Sequence, residues 1–308
     1  MRGHEPVLLA EVLEGLEVRN DGAYLDATYG RGGHSGAILG RLGPSGRLLA
    51  IDRDPEAVAA ARQRFGEDAR FSIALGSFGR MRAVAAEAGF ERQFDGILLD
   101  LGVSSPQLDD PARGFSFLRD GPLDMRMNPD AGQSAADWLA TASERDIAHV
   151  LRTLGEERFA RRIARAILAA RAETPIVRTV QLAEIVARAV PTREKGQHPA
   201  TRSFQAIRLF INRELDELAA GLEQAVERLA PAGRLCVIAF HSLEDRIVKR
   251  YLRNQSRVPP EFAGLPEIPP AARPRLAKLR RPVRPSAAEI ARNPRARSAI
   301  LRVAERSA

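Results

Sequence analysis

The fold of this chain is decided by residues 24–34, which read Tyr24-Leu25-Asp26-Ala27-Thr28-Tyr29-Gly30-Arg31-Gly32-Gly33-His34. A short apolar strand ends at Asp26 and runs into a glycine-rich turn, after which the pattern predicts a helix from about Ser35. Glycine has no Cβ, so it accepts a positive φ and allows the backbone to approach a ligand closely. The helix that follows offers unpaired N–H groups to the same ligand. The stretch therefore predicts a ligand-binding turn.

A second apolar strand, residues 47–52, ends in Asp52, twenty residues after Gly32. In doubly wound α/β proteins the glycine turn passes beneath an adenosine, and an acid at the end of the next strand binds the ribose hydroxyls. Domains that bind NAD and domains that bind S-adenosylmethionine share this arrangement. The NAD fingerprint is not met, because Gly33 directly follows Gly32 instead of lying three positions beyond it.

The strand pattern predicts one sheet with its acids at one edge. Strands are expected at residues 23–26, 47–52, 71–75, 94–100, 234–240 and 298–303. Right-handed crossovers would place Asp26, Asp52, Asp100 and the residues after Phe240 at the carboxyl edge, where doubly wound sheets bind their ligands.

The strands stop for roughly a hundred residues after Asp100, and residues 134–190 are purely helical in pattern. An α/β domain with a helical insertion after strand four explains this better than two consecutive domains. We predict an α/β domain of residues 1–108 and 200–308, and an inserted helical substrate-recognition domain of residues 109–199.

Composition restricts the class of protein. The 308 residues are 44% hydrophobic, include one cysteine, Cys236, and contain no apolar run long enough for a membrane span. The N-terminus lacks the apolar core of a signal peptide. A single cysteine excludes an internal disulfide or a cysteine metal cluster, and no other cluster of metal ligands is evident. We therefore expect a cytoplasmic protein without a metal site or a membrane contact.

The net charge of +8 is unevenly distributed. Residues 246–308 hold 16 basic and 4 acidic side chains, a net charge of +12, which leaves −4 for the rest of the chain. This basic tail, in which arginine alternates with proline, predicts contact with a nucleic acid. A second basic stripe comprises Arg158, Arg161, Arg162 and Arg165. An RNA contact and an ordinary solvated helix face remain equal interpretations of it.

Nearly the whole chain resembles the bacterial family that uses S-adenosylmethionine to methylate the N4 amino group of a cytosine at the decoding centre of 16S ribosomal RNA. The motifs that carry the resemblance are HEPVLL (4–9), DATYGRGGHS (26–35), AIDRDP (50–55), LLDLGVSSPQLDDPARGFSF (98–117), GPLDMRM (121–127), LGEERFARRIARAI (154–167), HPATRSFQAIRLFINREL (198–215), AFHSLEDRIVKR (239–250) and NPRARSAILRVAE (293–305).

The resemblance implies a Rossmann-like class I methyltransferase sheet, S-adenosylmethionine as the cofactor and the small ribosomal subunit or its 16S rRNA as the partner. A homodimer is compatible with it, although the sequence does not give the oligomeric state. Asp52 would bind the ribose, Phe78 would pack on the adenine and Asp100 would pair with the methionine ammonium. The cofactor-binding residues that the resemblance implies are Gly32, Gly33, His34, Asp52, Phe78, Asp100 and Gln107.

The catalytic group is less defined. Amino methyltransferases carry an acid, Asn or Ser followed by Pro after strand four, and residues 103–106, Val-Ser-Ser-Pro, occupy that place without the usual second proline and aromatic residue. Our hypothesis is that Ser105 and nearby carbonyl groups orient N4, assisted by Asp109 or by residues 241–245, in which His241 is the candidate. A structural turn is the alternative role of His241.

Three other functions remain open at this stage. A methyltransferase of this fold could act on another amino group, in a DNA base or a protein. The chain could be a non-catalytic RNA-binding ribosome assembly factor that retains a cofactor pocket. The third is an NAD-dependent oxidoreductase.

Overall fold

The structure is a computed structural model that describes residues 6–191 and 198–308. The chain divides into two compact units: residues 1–102 with 215–308 form the sheet unit, and residues 103–214 form the helical unit. Both boundaries of the helical unit lie outside the predicted insertion of residues 109–199.

The sheet unit contains seven strands in the order β3-β2-β1-β4-β5-β7-β6. Strands β1 to β5 are parallel, and β7 is antiparallel to both β5 and β6. The four early strands have the predicted bounds, whereas β6 was not predicted. The strands are β1 (Ala23–Asp26), β2 (Arg47–Asp52), β3 (Phe71–Leu75), β4 (Phe94–Asp100), β5 (Leu229–Ala239), β6 (Leu276–Leu279) and β7 (Ile300–Arg306).

Helices cover both faces of the sheet. Successive residues of β2 show this: Leu48 belongs to one core and Leu49 to the other, as the two-residue repeat of a strand requires. Near-continuous apolar strands are therefore needed, since neither face meets water. The helices of the sheet unit are α1 (Leu9–Leu16), α2 (Gly33–Leu39), α3 (Pro55–Phe65), α4 (Met81–Glu87), α11 (Glu214–Arg228), α12 (Ser242–Gln255) and α13 (Ala287–Arg292).

The helical unit has a core of its own, which Trp138, Leu151, Ile163 and Phe204 help to form. Its helices are α5 (Ser105–Asp109), α6 (Ala135–Thr141), α7 (Glu144–Gly155), α8 (Ala160–Glu173), α9 (Thr179–Ala189) and α10 (Thr201–Ile211). Helix α7 ends at Gly155, and this residue is glycine for a packing reason. A Cβ there would lie 2.8 Å from the Arg202 carbonyl oxygen and 3.0 Å from the Ala206 Cβ.

The helical unit extends beyond residue 199 because α10 belongs to it. The sequence pattern predicts one long helical segment over residues 200–229, but the chain turns at Arg213, whose φ is +51°. On the N-terminal side of that turn, Phe204 and Ile207 are buried in the helical core. A periodic apolar pattern does not distinguish one long helix from two that serve different cores.

The long segment after β4 is ordered by side chains that bind its backbone. Asn212 accepts a hydrogen bond from the Met127 N–H (2.8 Å) and donates one to the Met125 carbonyl (2.7 Å). The buried Arg113 guanidinium donates to the Met127 carbonyl at 2.8 Å. These bonds satisfy backbone groups that a loop would otherwise leave unpaired away from water.

The basic tail is folded onto the sheet unit. It supplies β6 and β7, and several of its arginines bind within the sheet unit. Arg302 makes a two-pronged contact with Asp245 (2.7 and 3.0 Å), Arg280 lies 2.5 Å from Glu17, and Arg275 pairs with Glu223. The charge surplus is therefore partly used to hold the tail to the sheet.

None of the helices in the described ranges, 6–191 and 198–308, has the length and apolar character needed to cross a membrane.

Candidate active site

The glycine turn connects β1 to α2 and takes its shape from two residues with positive φ, Gly30 (+55°) and Gly32 (+67°). Gly33 is glycine for another reason, since a Cβ at this position would lie 2.3 Å from the Pro6 Cγ. Helix α2 begins at Gly33, two residues before the predicted start. The turn therefore combines a left-handed backbone with close packing against the chain before α1.

Two acids at the strand ends fix this turn. Asp26 is almost fully buried, accepts a 2.6 Å hydrogen bond from the Ser35 hydroxyl and accepts another from the Thr28 N–H at 3.2 Å. Asp52 accepts the Gly30 N–H at 2.7 Å through Oδ2 and the Asp54 N–H at 2.9 Å through Oδ1.

Burial raises the pKa of both acids. For Asp26 the value is about 6, because burial outweighs the hydrogen bonds from Ser35 and Thr28. For Asp52 it is also about 6, because burial outweighs the bonds from the Asp54 and Gly30 N–H groups. The ionised form of a buried carboxyl group is stabilised when a ligand supplies hydroxyl donors or a positive charge.

Asp100, at the end of β4, is the acid of the site whose negative charge the surrounding groups stabilise least. Its Oδ1 is buried and makes no hydrogen bond to any group in the described part of the chain. Its Oδ2 lies 3.6 Å from Nδ1 of His34, whose Nε2 is 3.1 Å from the Val7 carbonyl oxygen. Burial, followed by the charges of Asp26 and Glu244, raises the pKa of Asp100 well above its ordinary value. A buried carboxylate without a partner is costly, and a cationic ligand would remove the cost.

The segment after β5 completes the edge of the sheet. Glu244 is almost fully buried, and its Oε2 accepts the N–H groups of Phe240 (2.8 Å) and His241 (3.3 Å). The His241 ring caps α12: its Nδ1 is 3.4 Å from the Glu244 N–H, and its Nε2 is 3.1 Å from Glu244 Oε1. These contacts suit the structural turn role, and the catalytic role of His241 stays a prediction.

Asp26, Asp52, Asp100 and Glu244 together make this edge of the sheet acidic, as the strand topology predicted. The charge pattern discriminates between the two candidate cofactors. NAD would bring a pyrophosphate to the glycine turn, and these carboxylates would repel it. S-adenosylmethionine carries a sulfonium and an ammonium, and the unpartnered Asp100 Oδ1 suits the ammonium. The side chains present therefore fit S-adenosylmethionine.

Phe78, expected to contact the adenine, begins a short 3-10 turn after β3 and is half-buried. Its ring packs against Gly221 of α11, where a Cβ would lie 2.6 Å from the Phe78 Cδ2. Ser77, the preceding residue, donates a hydrogen bond to Glu217 of the same helix. Helix α11 therefore fixes the position of this aromatic ring.

The remaining predicted residues belong to α5 of the helical unit. Ser105 is buried and opens the helix, Gln107 is buried and accepts the Ser104 N–H through Oε1 at 3.0 Å, and Asp109 is exposed. Their roles toward cofactor and substrate remain predictions.

Four residues of the site were not assigned from sequence: Asp26, Thr28, Ser35 and Glu244. Thr28 accepts the Asp100 N–H at 2.6 Å and so connects β1 to β4. Sequence did mark Asp26 as an acid at a strand end, a signal that could have assigned it. Glu244 gave no such signal, because its capping role depends on the turn after β5. Within residues 6–191 and 198–308, no group of His, Cys, Asp or Glu side chains is arranged to hold a metal ion.

The strand order and the acids at the carboxyl ends of β1, β2 and β4 define a class I methyltransferase that depends on S-adenosylmethionine. The comparisons narrow the class. The chain belongs to the MraW methylase family, which it matches over residues 1–307.

Two relatives are similar to this chain over nearly their full length. A protein of Thioalkalivibrio sulfidiphilus is 59% identical over 99% of this chain and 98% of its own, and one of Coxiella burnetii is 56% identical over 99% of each. Both are called ribosomal RNA small subunit methyltransferase H. Among solved structures, an rRNA methylase from Streptococcus thermophilus aligns over 100% of this chain and 99% of its own, with 12% identity and a TM-score of 0.43.

Proposed function

We propose that this enzyme methylates the N4 amino group of a specific cytidine in the decoding region of 16S rRNA. The observation that carries the proposal is the similarity to rRNA small subunit methyltransferases over the whole chain, helical unit included. The helical unit follows β4 directly in the chain. We assign it the role of recognising the substrate, which would account for the similarity to rRNA methyltransferases within this unit.

The proposed cofactor contacts follow from the chemistry of each group. Asp52 is suited to accept the ribose hydroxyls, and Asp100 to accept the methionine ammonium through its unpartnered Oδ1. The turn at Gly32, Gly33 and His34 would lie against the cofactor, as would the Phe78 ring. Gln107 is included through the resemblance. When bound, S-adenosylmethionine supplies a methyl group on a positively charged sulfur.

The substrate amine determines what the protein must do. The lone pair of N4 is delocalised into the cytosine ring, so the protein gains most by orienting N4 and accepting its hydrogen bonds. We assign that role to Ser105 and the neighbouring carbonyl groups, with Asp109 as the assisting acid. Asp245 is a weaker candidate because Arg302 already holds both of its oxygens. The base must also be unstacked to reach such a site.

The proposal is tested with a labelled methyl donor, offered together with small ribosomal subunits or with naked 16S rRNA, followed by mass mapping of the labelled nucleotide. We expect one methylated cytidine, at N4. Asp100→Asn is the inactive control. Asp68→Asn, which alters an acid on the surface paired with Arg70 at 2.7 Å, is the matched control that should remain active. Methylation of another base, or transfer only to DNA or protein, would refute the proposal.

The catalytic assignment has its own test. Ser105→Ala and Asp109→Ala are compared in single-turnover reactions at saturating cofactor, so that chemistry rather than product release is measured. A rate loss of about 10²-fold or more in at least one variant is expected for a group that orients the nucleophile. Full rates in both variants would remove these residues from the mechanism.

A further inference from the structure

The helical unit carries an open groove of about 490 Å³ that is lined by five arginines and one aromatic residue. The lining residues are Arg152, Arg158, Phe159, Arg161, Arg162 and Arg165. We propose that this groove binds the phosphodiester backbone of the RNA substrate, with Phe159 as a stacking platform for an unpaired base. The inference rests on the proposed function, because it assumes that the substrate is RNA.

The local sequence explains how the groove forms. Arg161, Arg162 and Arg165 follow the spacing i, i+1 and i+4 in the first two turns of α8, and Arg158 lies in the turn that leads into the helix. The opposite face packs into the helical core through Ile163 and Ile167, both fully buried. Arg152 comes from the last turn of α7. The corner between two helices thus gathers five guanidinium groups.

These arginines differ from others of the same unit. Arg126 lies 2.7 Å from Asp124, Arg178 lies 2.7 Å from Asp120, and Arg171 donates to the Ala142 carbonyl at 2.8 Å. The five groove arginines are all exposed, and among residues 6–191 and 198–308 none of them forms an ion pair.

Nearby acids do not neutralise the groove. Residues 152–165 contain five arginines and two glutamates, Glu156 and Glu157, which leaves a net charge of +3. Glu157 is buried and its Oε1 accepts the Phe159 N–H at 2.9 Å, so it shapes the turn before α8. Unneutralised like charges held together repel one another, and a polyanion would relieve that repulsion.

The length of the stripe favours a polymer over a small anion. From Arg161 to Arg165 α8 rises about 6 Å, and Arg158 and Arg152 extend the line of charges beyond the start of the helix. The phosphates of one nucleic acid strand in a duplex recur about every 3.4 Å along the axis, so the groove is longer than the distance between neighbouring phosphates. Phe159 is half-exposed beside the arginines, and alternating basic and aromatic groups are typical of sites for single-stranded nucleic acid. An acidic protein surface would pair with the groove arginines, but it would have no use for the aromatic ring of Phe159 among them.

The groove differs from the basic tail in how its arginines are paired. In the tail, Arg275, Arg280 and Arg302 are bound to acids of the sheet unit. The tail keeps other exposed basic side chains, so the groove adds to its charge, and within the described part of the chain none of the five groove arginines is used to hold the fold together through an ion pair.

The test compares two double variants that remove the same charge. Arg158→Gln with Arg165→Gln alters both ends of the groove, and Arg145→Gln with Arg188→Gln alters exposed arginines of the same unit that do not line it. Binding of a single-stranded 16S rRNA fragment by the full chain is measured across a salt series. For the groove double variant we expect the slope of log K against log salt to fall by about 1.4, and affinity near physiological salt to drop about tenfold or more.

A third variant isolates the aromatic ring. Phe159→Leu keeps an apolar side chain for packing, and it should weaken binding of the single strand about tenfold while leaving binding of the matching duplex unchanged. Thermal melting of each variant, together with its affinity for S-adenosylhomocysteine, verifies that the protein is folded.

Equal effects of the two double variants on RNA binding would overturn the inference. It would also be overturned if the groove variants bound naked RNA normally and failed only on assembled subunits, because that result would indicate a protein partner. Failure of the proposed function is seen separately. In that case the wild-type chain methylates no rRNA cytidine, whatever the groove variants do to RNA binding.

Discussion

Nδ1 of His34 lies 3.6 Å from Oδ2 of Asp100, although the two residues are 66 positions apart in the chain. The other ring nitrogen, Nε2, is 3.1 Å from the Val7 carbonyl oxygen, which can only accept a hydrogen bond. A neutral ring that donates from Nε2 therefore turns a lone pair toward Asp100. The ligand-free site accommodates this contact if the carboxyl group retains a proton, in agreement with its raised pKa.

The first prediction concerns Asp100→Asn. The variant loses the charge that would pair with the methionine ammonium, a contact of about 1.5–3 kcal/mol, so the Kd for S-adenosylhomocysteine should rise roughly 10- to 150-fold. Without the cofactor the same variant should be more stable than the wild type at pH 8, because the amide avoids the cost of keeping a buried carboxyl group, protonated or charged, at a pH far above its ordinary pKa. Calorimetry measures the first effect and thermal melting the second. A ligand-free Asp100→Asn protein that melts below the wild type would contradict this account of the site.

The second prediction concerns the pH dependence of stability. Asp26 and Asp52 have pKa values raised to about 6 in the folded chain, against an ordinary value of 3.8. A raised pKa means that the folded state binds protons more tightly than the unfolded state, so the stability from these groups is complete below about pH 4. It is lost as the pH rises through 6. For Asp26 alone the loss is about 3 kcal/mol. Chemical unfolding of the ligand-free protein between pH 4 and 8 measures it.

The third prediction is the reverse trend for cofactor binding. Ribose hydroxyls and an ammonium favour ionised carboxylates, so affinity should weaken as the pH falls from 7 to 5. Binding should also release protons. Calorimetry at pH 6 in two buffers with different ionisation enthalpies counts those protons. An affinity that is independent of pH in this range, with no proton release, would mean that these acids do not face the cofactor.

The fourth prediction separates the structural and catalytic roles of His241. His241→Ala removes the cap of α12 and should cost about 1 kcal/mol of unfolding free energy, whereas His241→Asn retains a capping oxygen and should cost much less. If the role is structural, the single-turnover rate of the folded Asn variant will match the wild type. A large rate loss in both variants with stability unchanged would assign His241 to the chemistry instead.

The fifth prediction tests the support of Phe78. Gly221→Ala would place a Cβ 2.6 Å from the Phe78 ring, so we expect a destabilisation of about 1–3 kcal/mol and weaker cofactor binding. Gly264→Ala is the matched control, since no atom lies within 4 Å of a Cβ there. Normal cofactor affinity in Gly221→Ala would show that the adenine does not depend on this ring.

The sequence by itself determined the first four strands, the glycine turn and the acids Asp52 and Asp100 that follow their strands. It could do so because a buried parallel strand is a continuous apolar run, and the residue that ends it is placed at the ligand-binding edge by topology alone. The resemblance of the motifs to one methylase family added the class of reaction.

Only the tertiary structure decided which distant groups meet. Apolar periodicity did not show that α10 packs into the helical core or that Arg302 pairs with Asp245. It also did not show that Asp100 lies beside His34 with one oxygen that has no hydrogen-bond partner in the described part of the chain. These facts depend on contacts between residues far apart in the chain, and a local pattern gives the type of an element but not its partner. The same limit applies to the two basic regions. The sequence shows both, but only the fold shows that several arginines of the tail pair with acids while the five arginines of the groove face water.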